Sequence, residues 1–594
     1  MSTTTTRLLF LIILCTTRYA LLWGDNSTYT TYEKTDQLIG KLRINNSTVH
    51  CDTLTGRCLV SIPKQRADKH KPLFAKISAN DITAHEIRIN GQLIGEKKTT
   101  LTPADTYTIR ITRADGTQSQ YSLETTTLPV VSLQMDACNS ETFQEGTFTL
   151  TAPEYQSEAQ HHSALFRWRG SSSLNYQKKS FAIKLIDKNH EKTDASFLGM
   201  RSDNSWILDA MAIDKARMRN RVSTDLWNDF AAESVIKQWE PDMTNGTHGH
   251  FVEVFLNGQY QGLYCFTEKL DRKQLQLKKT RLGNVYGALY KSKYWNNSVG
   301  MWQCPSSYDN HATMWEGWEL QYPDYTEDEP IDWAPLYNAI DFVAKSNGTQ
   351  FVKEVENWFD LDVWRDYFLY MNLLFAPDNM GKNMYLYVYD ATITRQIGVA
   401  PWDMDATWGR LWEADACPAD TNFYNTSHNL HDRLRKEMPH YDRETAERYA
   451  DLRETFFATD AIQQRFDTYF ALFNESGAGQ RETARWSGTD NIELDFANEA
   501  AYIRQWVEQR LQYLDQVFGY THTGIDTPGN DQSQLQLRTS KNTLSLQADN
   551  NCTATIHTLS GILVTSIQLT AKTPVTVSLS AGVYVVNRKK VLVP

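Results

Sequence analysis

The chain is 594 residues long, more than one hydrophobic core accommodates, which points to about three to four domains. Hydrophobic residues at 41% and charged residues at 22% lie near globular averages, so most of the chain is expected to fold. A net charge of -11 without a Lys/Arg-dense block excludes nucleic-acid binding of the usual kind, which depends on neutralising phosphates.

At the N-terminus, Arg7 precedes the apolar run Leu8-Leu9-Phe10-Leu11-Ile12-Ile13-Leu14, followed by small and polar residues. This predicts an export signal over residues 1–24. Leu14 before Cys15 is a poor match to a lipoprotein signal, and no other stretch reaches about 18 apolar residues, so no transmembrane helix is expected. Residues 25–128 are Thr-rich, with alternating runs at Glu86-Ile87-Arg88-Ile89 and Tyr107-Thr108-Ile109-Arg110-Ile111. Turn signals at Asn90-Gly91 and Asp115-Gly116 separate them, which predicts a small β-sandwich. Residues 129–520 are mixed α/β: strand-like runs at 181–186, 251–255, 262–266 and 384–389 alternate with helical spacing at 218–230, 358–375 and 501–518. A linker of turn formers spans 521–534, and residues 535–594 alternate strictly, predicting a small all-β module. Beyond the export signal there are seven cysteines and no CxxC pair, which argues against a zinc ribbon or a thioredoxin-type site. Cys51 and Cys58 are close enough to close a loop in an oxidising compartment.

Four clusters in the centre carry chemistry. The first is Arg169-Gly170-Ser171-Ser172-Ser173, followed by Lys178-Lys179-Ser180-Phe181-Ala182-Ile183-Lys184-Leu185. A Gly/Ser turn lets backbone N–H groups approach phosphate oxygens, and a lysine within an apolar strand is expected either to find an anion or to face the surface from an edge strand. Phe-Ala-Ile-Lys-Leu is close to the kinase Val-Ala-Ile-Lys pattern, whose lysine pairs with nucleotide phosphates. The second is the hairpin around Asn257-Gly258, whose exit Glu268-Lys269 falls where a kinase places its hinge. Glu268 is therefore either a nucleotide-facing residue or a surface salt-bridge residue. The third is Asp378-Asn379-Met380-Gly381-Lys382-Asn383, with Asp378 and Asn383 spaced as the base and the metal-binding amide of a kinase catalytic loop. The fourth is Trp402-Asp403-Met404-Asp405, after an apolar run. If that strand continues, both carboxylates face one ion, and oxygen ligands suit Mg2+ or Mn2+ rather than zinc.

Together with Phe197-Leu198-Gly199, Asp203-Asn204-Ser205-Trp206-Ile207-Leu208 and Asp214-Lys215…Met218-Arg219-Asn220, these segments resemble the CotH family of atypical, spore-coat-type protein kinases. The resemblance covers residues 129–515 and implies a multidomain α+β protein whose central kinase-like α/β domain is flanked by the two β modules. It implies ATP and Mg2+ (or Mn2+) as cofactors and transfer of phosphate to Ser or Thr of surface or secreted proteins. Carried over, Asp378 would be the catalytic base, and Asn383, Asp403 and Asp405 would hold metal. Lys184, with Lys179 as the other candidate, would hold nucleotide phosphates under the turn of Arg169 and Gly170. Ser171 departs from the Asn often found in the family, and the helix acid that would pair with Lys184 is undecided between Asp225 and Glu233. Residues 535–594, with Ala581-Gly582-Val583-Tyr584 and the terminal Lys590-Val591-Leu592-Val593-Pro594, resemble the C-terminal secretion domain of Bacteroidetes type IX cargo. That implies a secreted or surface location and passage through the type IX machinery. The alternative expectation is an inactive kinase-fold adhesion protein that uses its 17 Trp, 29 Tyr and 24 Phe to bind at the cell surface.

Overall fold

A computed structural model describes residues 42–44, 47–52, 54–63, 73–75, 77–78, 84–93, 99–101, 104–325, 331–422, 428–521, 535–558, 563–586 and 589–593. The expected export signal, the linker beyond Thr521, residues 559–562 of the C-terminal module and Pro594 lie outside the described residues. The chain is mixed α/β and divides into two compact units. One comprises the described residues up to Arg217, His248–Lys269 and Thr468–Glu499; the other comprises Met218–Thr247, Leu270–Asp467 and the described residues from Ala500.

In the first unit, the alternating N-terminal runs form a six-stranded sheet. Its order is His50–Cys51, Arg57–Ser61, Gln118–Thr126, Thr106–Arg113, Ala84–Ile89 and Gln92–Leu93. Ile87, Ile89, Ile109, Ile111 and Leu123 bury one face of it, as a period of two requires. Seven later strands close into a barrel, in the order Val130–Met135, Gln144–Thr151, Gln160–Arg169, Ser180–Ile186, Ser205–Asp209, Gln259–Glu268 and Gly249–Leu256. Parallel pairing of Val130–Met135 with Gly249–Leu256 closes the ring and leaves no free edge. Alternate residues fill its interior, among them Leu133, Phe148, Phe166, Phe181, Ile183, Leu185, Trp206 and Phe266. The expected hairpin turns at Asn257 (φ +50) and Gly258 (φ +72), the two positive φ values a tight two-residue turn demands. The helix Ala478–Trp486 is tied to these strands by Arg481, whose guanidinium grips both oxygens of buried Glu253 at 2.7 and 2.8 Å.

The second unit holds an antiparallel five-stranded sheet in the order Met314–Trp315, Trp318–Tyr322, Ala288–Ser292, Met384–Val388 and Ile397–Pro401. The expected helix at 218–230 is Arg219–Phe230. The helix expected over 358–375 is Leu361–Leu374; Trp358 instead ends the preceding helix Gly348–Trp358, and an extended Phe359 separates the two. The break has a cause, because the Asp360 carboxylate accepts from Ser234 Oγ (2.9 Å) and Val235 N (2.8 Å), which anchors the junction elsewhere. Leu361–Leu374 is buried along most of its length and stops at left-handed Phe375. The C-terminal residues form a three-stranded and a four-stranded sheet that share one core, including Leu544, Leu546, Ile556, Leu569 and Val586. Among the described residues, no helix is long and apolar enough to cross a membrane.

Candidate active-site residues

Four of the five expected nucleotide-binding residues lie on two paired barrel strands of the first unit or in the connection between them: Arg169 and Lys184 on the strands, Gly170 and Lys179 in the connection, with Lys184 four rungs from the turn. The Gln160–Arg169 strand ends at Arg169, which faces Ser180 across the ladder. Gly170 follows at φ +134, a conformation essentially reserved for glycine, and a Cβ there would lie 2.0 Å from Ser173 Oγ. A short helical turn, Ser172–Asn175, comes next. Lys179 Nζ donates to Leu174 O at 2.5 Å and to Tyr176 O, so its ammonium closes this turn. The Ser180–Ile186 strand then points Phe181, Ile183 and Leu185 into the barrel, which places Lys184 on the outer face. Its apolar neighbours therefore do not bury it, and the expected cost of an ammonium inside an apolar strand does not arise. Phe143 lies under it, with the Lys184 ammonium 4.4 Å from the ring centroid and the Arg167 guanidinium 4.9 Å from the same ring.

Glu268, the fifth, ends the Gln259–Glu268 strand and is 2% exposed, so it is not a surface salt-bridge residue. Its Oε2 accepts from the His248 backbone N–H at 2.8 Å, and its Oε1 accepts from the Arg201 backbone N–H at 3.3 Å. Burial alone would raise the Glu268 carboxyl, but the His248 bonds and the His248 and Arg201 charges outweigh it and hold the group below its usual range. The first unit's middle segment ends at the next residue, Lys269.

One buried ionic cluster was not expected from the sequence. Lys178 is 3% exposed; its ammonium donates to Leu263 O at 2.5 Å and to Glu482 Oε1 at 2.6 Å. Arg217 Nε reaches the same oxygen at 2.7 Å, and Glu482 Oε2 accepts from Leu263 N at 2.8 Å. The doublet Lys178-Lys179 was visible, but nothing local to residue 482 marks it as a partner. The two acids weighed for Lys184 are engaged along the chain: Asp225 with Arg221 at 2.8 Å, and Glu233 with Lys237 at 3.2 Å.

The remaining expected residues belong to the second unit. Pro377–Met380 forms a single helical turn that carries Asp378. Asp378 Oδ2 accepts from Asn383 Nδ2 at 3.2 Å and pairs with Lys382 Nζ at 3.4 Å, while its Oδ1 accepts from Trp295 Nε1 at 3.3 Å. Asn383 is nearly buried, and its backbone N–H donates to Ser292 O at 3.0 Å. Met384 pairs with Pro401, so Asn383 and Trp402 flank the same end of one ladder. Asn379 Nδ2 donates to Trp402 O at 2.6 Å and ties the 378–383 loop to the residue before Asp403. The strand does not continue through 402–405: it ends at Pro401, and Asp403 turns to φ +63. Asp403 is exposed, Met404 is buried, and Asp405 is half-buried, so strand alternation is not what sets their directions. Asn220 Oδ1 accepts from Met404 N at 3.0 Å, and Arg219 Nε donates to Thr407 O at 2.9 Å, which explains why the Met218-Arg219-Asn220 motif accompanies the acidic one. Asn383 (φ +58) and Asp403 both hold left-handed backbone, which Asn and Asp adopt more readily than other non-glycine residues.

Among the described residues, no three His, Cys, Asp or Glu side chains are grouped to hold a metal. The donor set that the loops offer is an amide and carboxylates. With Nδ2 of Asn383 committed to Asp378, the Asn383 carbonyl oxygen remains for a ligand, and oxygen donors of this kind fit a hard divalent cation.

The family model described as CotH kinase protein matches residues 166–514. The chain belongs to the CotH kinase protein family. All nine expected site residues fall inside the match. The match begins at 166 rather than the expected 129, within the third barrel strand, although closing the barrel requires the strands from Val130 onward. The chain is also similar to the inner spore coat protein H of Bacillus subtilis (strain 168), at 24% identity over 253 residues. That alignment covers 43% of this chain and 61% of the Bacillus protein.

Proposed function

We propose that this CotH-family chain is an exported protein kinase that transfers the γ-phosphoryl group of ATP to Ser or Thr of surface or secreted proteins. The observation that carries the reading is the Asp378–Asn383 contact at 3.2 Å: a carboxylate and an amide five residues apart, locked together at the end of a ladder. In this reading the acceptor hydroxyl oxygen forms a bond to the γ-phosphorus while the bond to the β,γ-bridging oxygen breaks, and ADP leaves. Asp378 orients the hydroxyl and takes its proton. Asn383 and Asp403, with Asp405 beside them, hold Mg2+ or Mn2+. The ion, when bound, neutralises charge on the phosphate oxygens. The Gly170 turn and Lys184 grip the phosphates, and Lys179, whose ammonium is bonded to Leu174 O, acts by shaping that turn. Glu268 supports the exit of the hairpin from within. The C-terminal sheets serve as a type IX sorting module, a reading tested by fractionating cells that express the chain with and without residues 535–594.

A thermal-shift titration with ATP plus Mg2+ or Mn2+, comparing wild type with Asp403→Ala, tests the kinase reading. A ligand saturating the native state about 100-fold stabilises it by about 2.7 kcal/mol. A metal-dependent shift that Asp403→Ala abolishes is the expected result. No shift at millimolar ATP with either metal would sink it. The second reading, an inactive adhesive scaffold, then takes its place, favoured by the exposed Tyr294, Trp295, Trp302 and Tyr308.

A further inference from the structure

Trp295 stands apart from the other exposed aromatic residues of its segment. It follows the Ala288–Ser292 strand, whose last residue bonds the loop at two points: Ser292 O accepts from Asn383 N at 3.0 Å and Ser292 Oγ from Met384 N at 2.9 Å. On the other side, Asn296 Nδ2 donates to Glu316 O at 2.6 Å, and Asn296 Oδ1 accepts from Val299 N at 2.8 Å. The backbone carrying Trp295 is therefore held at both ends.

The indole itself lies against the loop backbone. A Cβ added to Gly381 would fall 2.0 Å from Trp295 Cε3 and 2.2 Å from its Cδ2, so the ring occupies the space that any side chain at 381 would need. From that seat Nε1 donates to Asp378 Oδ1 at 3.3 Å. The other donors to this carboxylate, Asn383 and Lys382, come from the loop itself and take Oδ2. Among the described residues, Trp295 is the side-chain donor from outside the loop, and it takes the Oδ1 side. Trp295 is left 44% exposed, so part of the indole remains open to solvent while its N–H and its contact with Gly381 are engaged.

We propose that Trp295 is a positioning residue for Asp378: ring contact with Gly381 sets the loop, and the indole N–H sets the rotation of the carboxylate. The proposal rests on the kinase reading, in which Asp378 receives the acceptor proton. A base that must meet a hydroxyl in one orientation loses rate when its carboxylate rotates freely, even though nucleotide binding is untouched.

The test uses the full chain, ATP labelled in the γ-phosphate, Mg2+ or Mn2+, and dephosphorylated casein as acceptor probe. Wild type, Asp378→Asn, Trp295→Phe and the double variant are compared. Trp295→Phe keeps a smaller ring beside Gly381 and removes the N–H together with part of the indole, so the comparison in the Asp378→Asn background is what isolates the N–H. Its kcat is expected to fall about tenfold, the scale of one hydrogen bond to a charged group, with KM for ATP unchanged. In the Asp378→Asn background the same substitution is expected to cost nothing further, because the partner it orients is already gone. Trp295→Phe with wild-type kcat overturns the proposal and leaves the kinase reading intact. Equal losses in both backgrounds also overturn it, since they mark a general structural role. Wild type that transfers no phosphate, or Asp378→Asn that transfers as well as wild type, overturns the kinase reading and this proposal with it.

Discussion

Glu482 Oε1 accepts from Lys178 Nζ at 2.6 Å and from Arg217 Nε at 2.7 Å, so one buried carboxylate answers two cations 304 and 265 residues away in the chain. Burial pushes the Lys178 ammonium well below its usual value against the pull of Glu482. Burial would likewise raise Glu482, but the two cations hold it down. Glu482→Gln leaves two buried cations without a counter-charge and is expected to destabilise the fold by about 3–5 kcal/mol. Lys178→Met is expected to cost less, because Arg217 still pairs with Glu482. Urea unfolding midpoints of the two variants check the order.

His428 gives the chain an acid-sensitive core. It is fully buried beside Trp364 and Phe368, and neither ring nitrogen has a hydrogen-bond partner among the described residues. Burial pushes its imidazole down to about 3. An unfolded histidine titrates near about 6.5, so between these values the unfolded chain binds a proton that the folded chain refuses. Stability from this group is full above pH about 6.5 and is lost as pH falls towards 3. His50, pushed down to about 4 by burial and then by the Arg43 charge, adds to the same trend. His428→Phe is expected to be favoured relative to wild type by about 2 kcal/mol more at pH about 5 than at pH about 7.5. Denaturant titrations at the two pH values measure it, and an identical difference at both would contradict the assignment.

Gly170→Ala tests the turn before Lys179. The φ of +134 and the 2.0 Å approach to Ser173 Oγ both exclude a side chain. The substitution is expected to cost about 1–3 kcal/mol locally and to abolish the ATP-dependent thermal shift while the barrel remains folded. Circular dichroism confirms the fold and the nucleotide titration reads the loss.

Cys51 and Cys58 face each other across the ladder of His50–Cys51 with Arg57–Ser61. Asp52 N donates to Arg57 O at 2.7 Å, so the adjacent cysteine pair is the closely spaced, non-hydrogen-bonded kind. Oxidised glutathione is expected to convert the two thiols to one disulfide with release of two reduced glutathiones. The closed loop should add about 2 kcal/mol. Non-reducing peptide mapping reads the bond, and full alkylation of both thiols after oxidant would rule it out.

Much of this architecture was legible. The apolar run 181–186 marked a strand, Asn257-Gly258 marked a tight turn, and Asp378 with Asn383 marked a loop whose two ends meet at 3.2 Å. Each of these depends on neighbours within a few residues, where covalent geometry alone sets which side chains share a face. For Lys184 the sequence left two readings open, an anion-bound lysine or an outward-facing one, and the alternation of its strand puts it on the outer face.

What the sequence determined by itself, then, was the local grammar: strands, hairpins, helices and the spacing of Asp378 from Asn383. What only the tertiary structure decided was partnership: Glu482 for Lys178, Trp295 for Asp378, and Asn220 for the backbone of Met404. Charged and hydrogen-bonded pairs act over a few ångströms of space, and separations of 83 to 304 residues leave no periodic trace along the chain. Only the packing of the barrel and of the helices brings such atoms within reach, so those contacts come into existence with the fold.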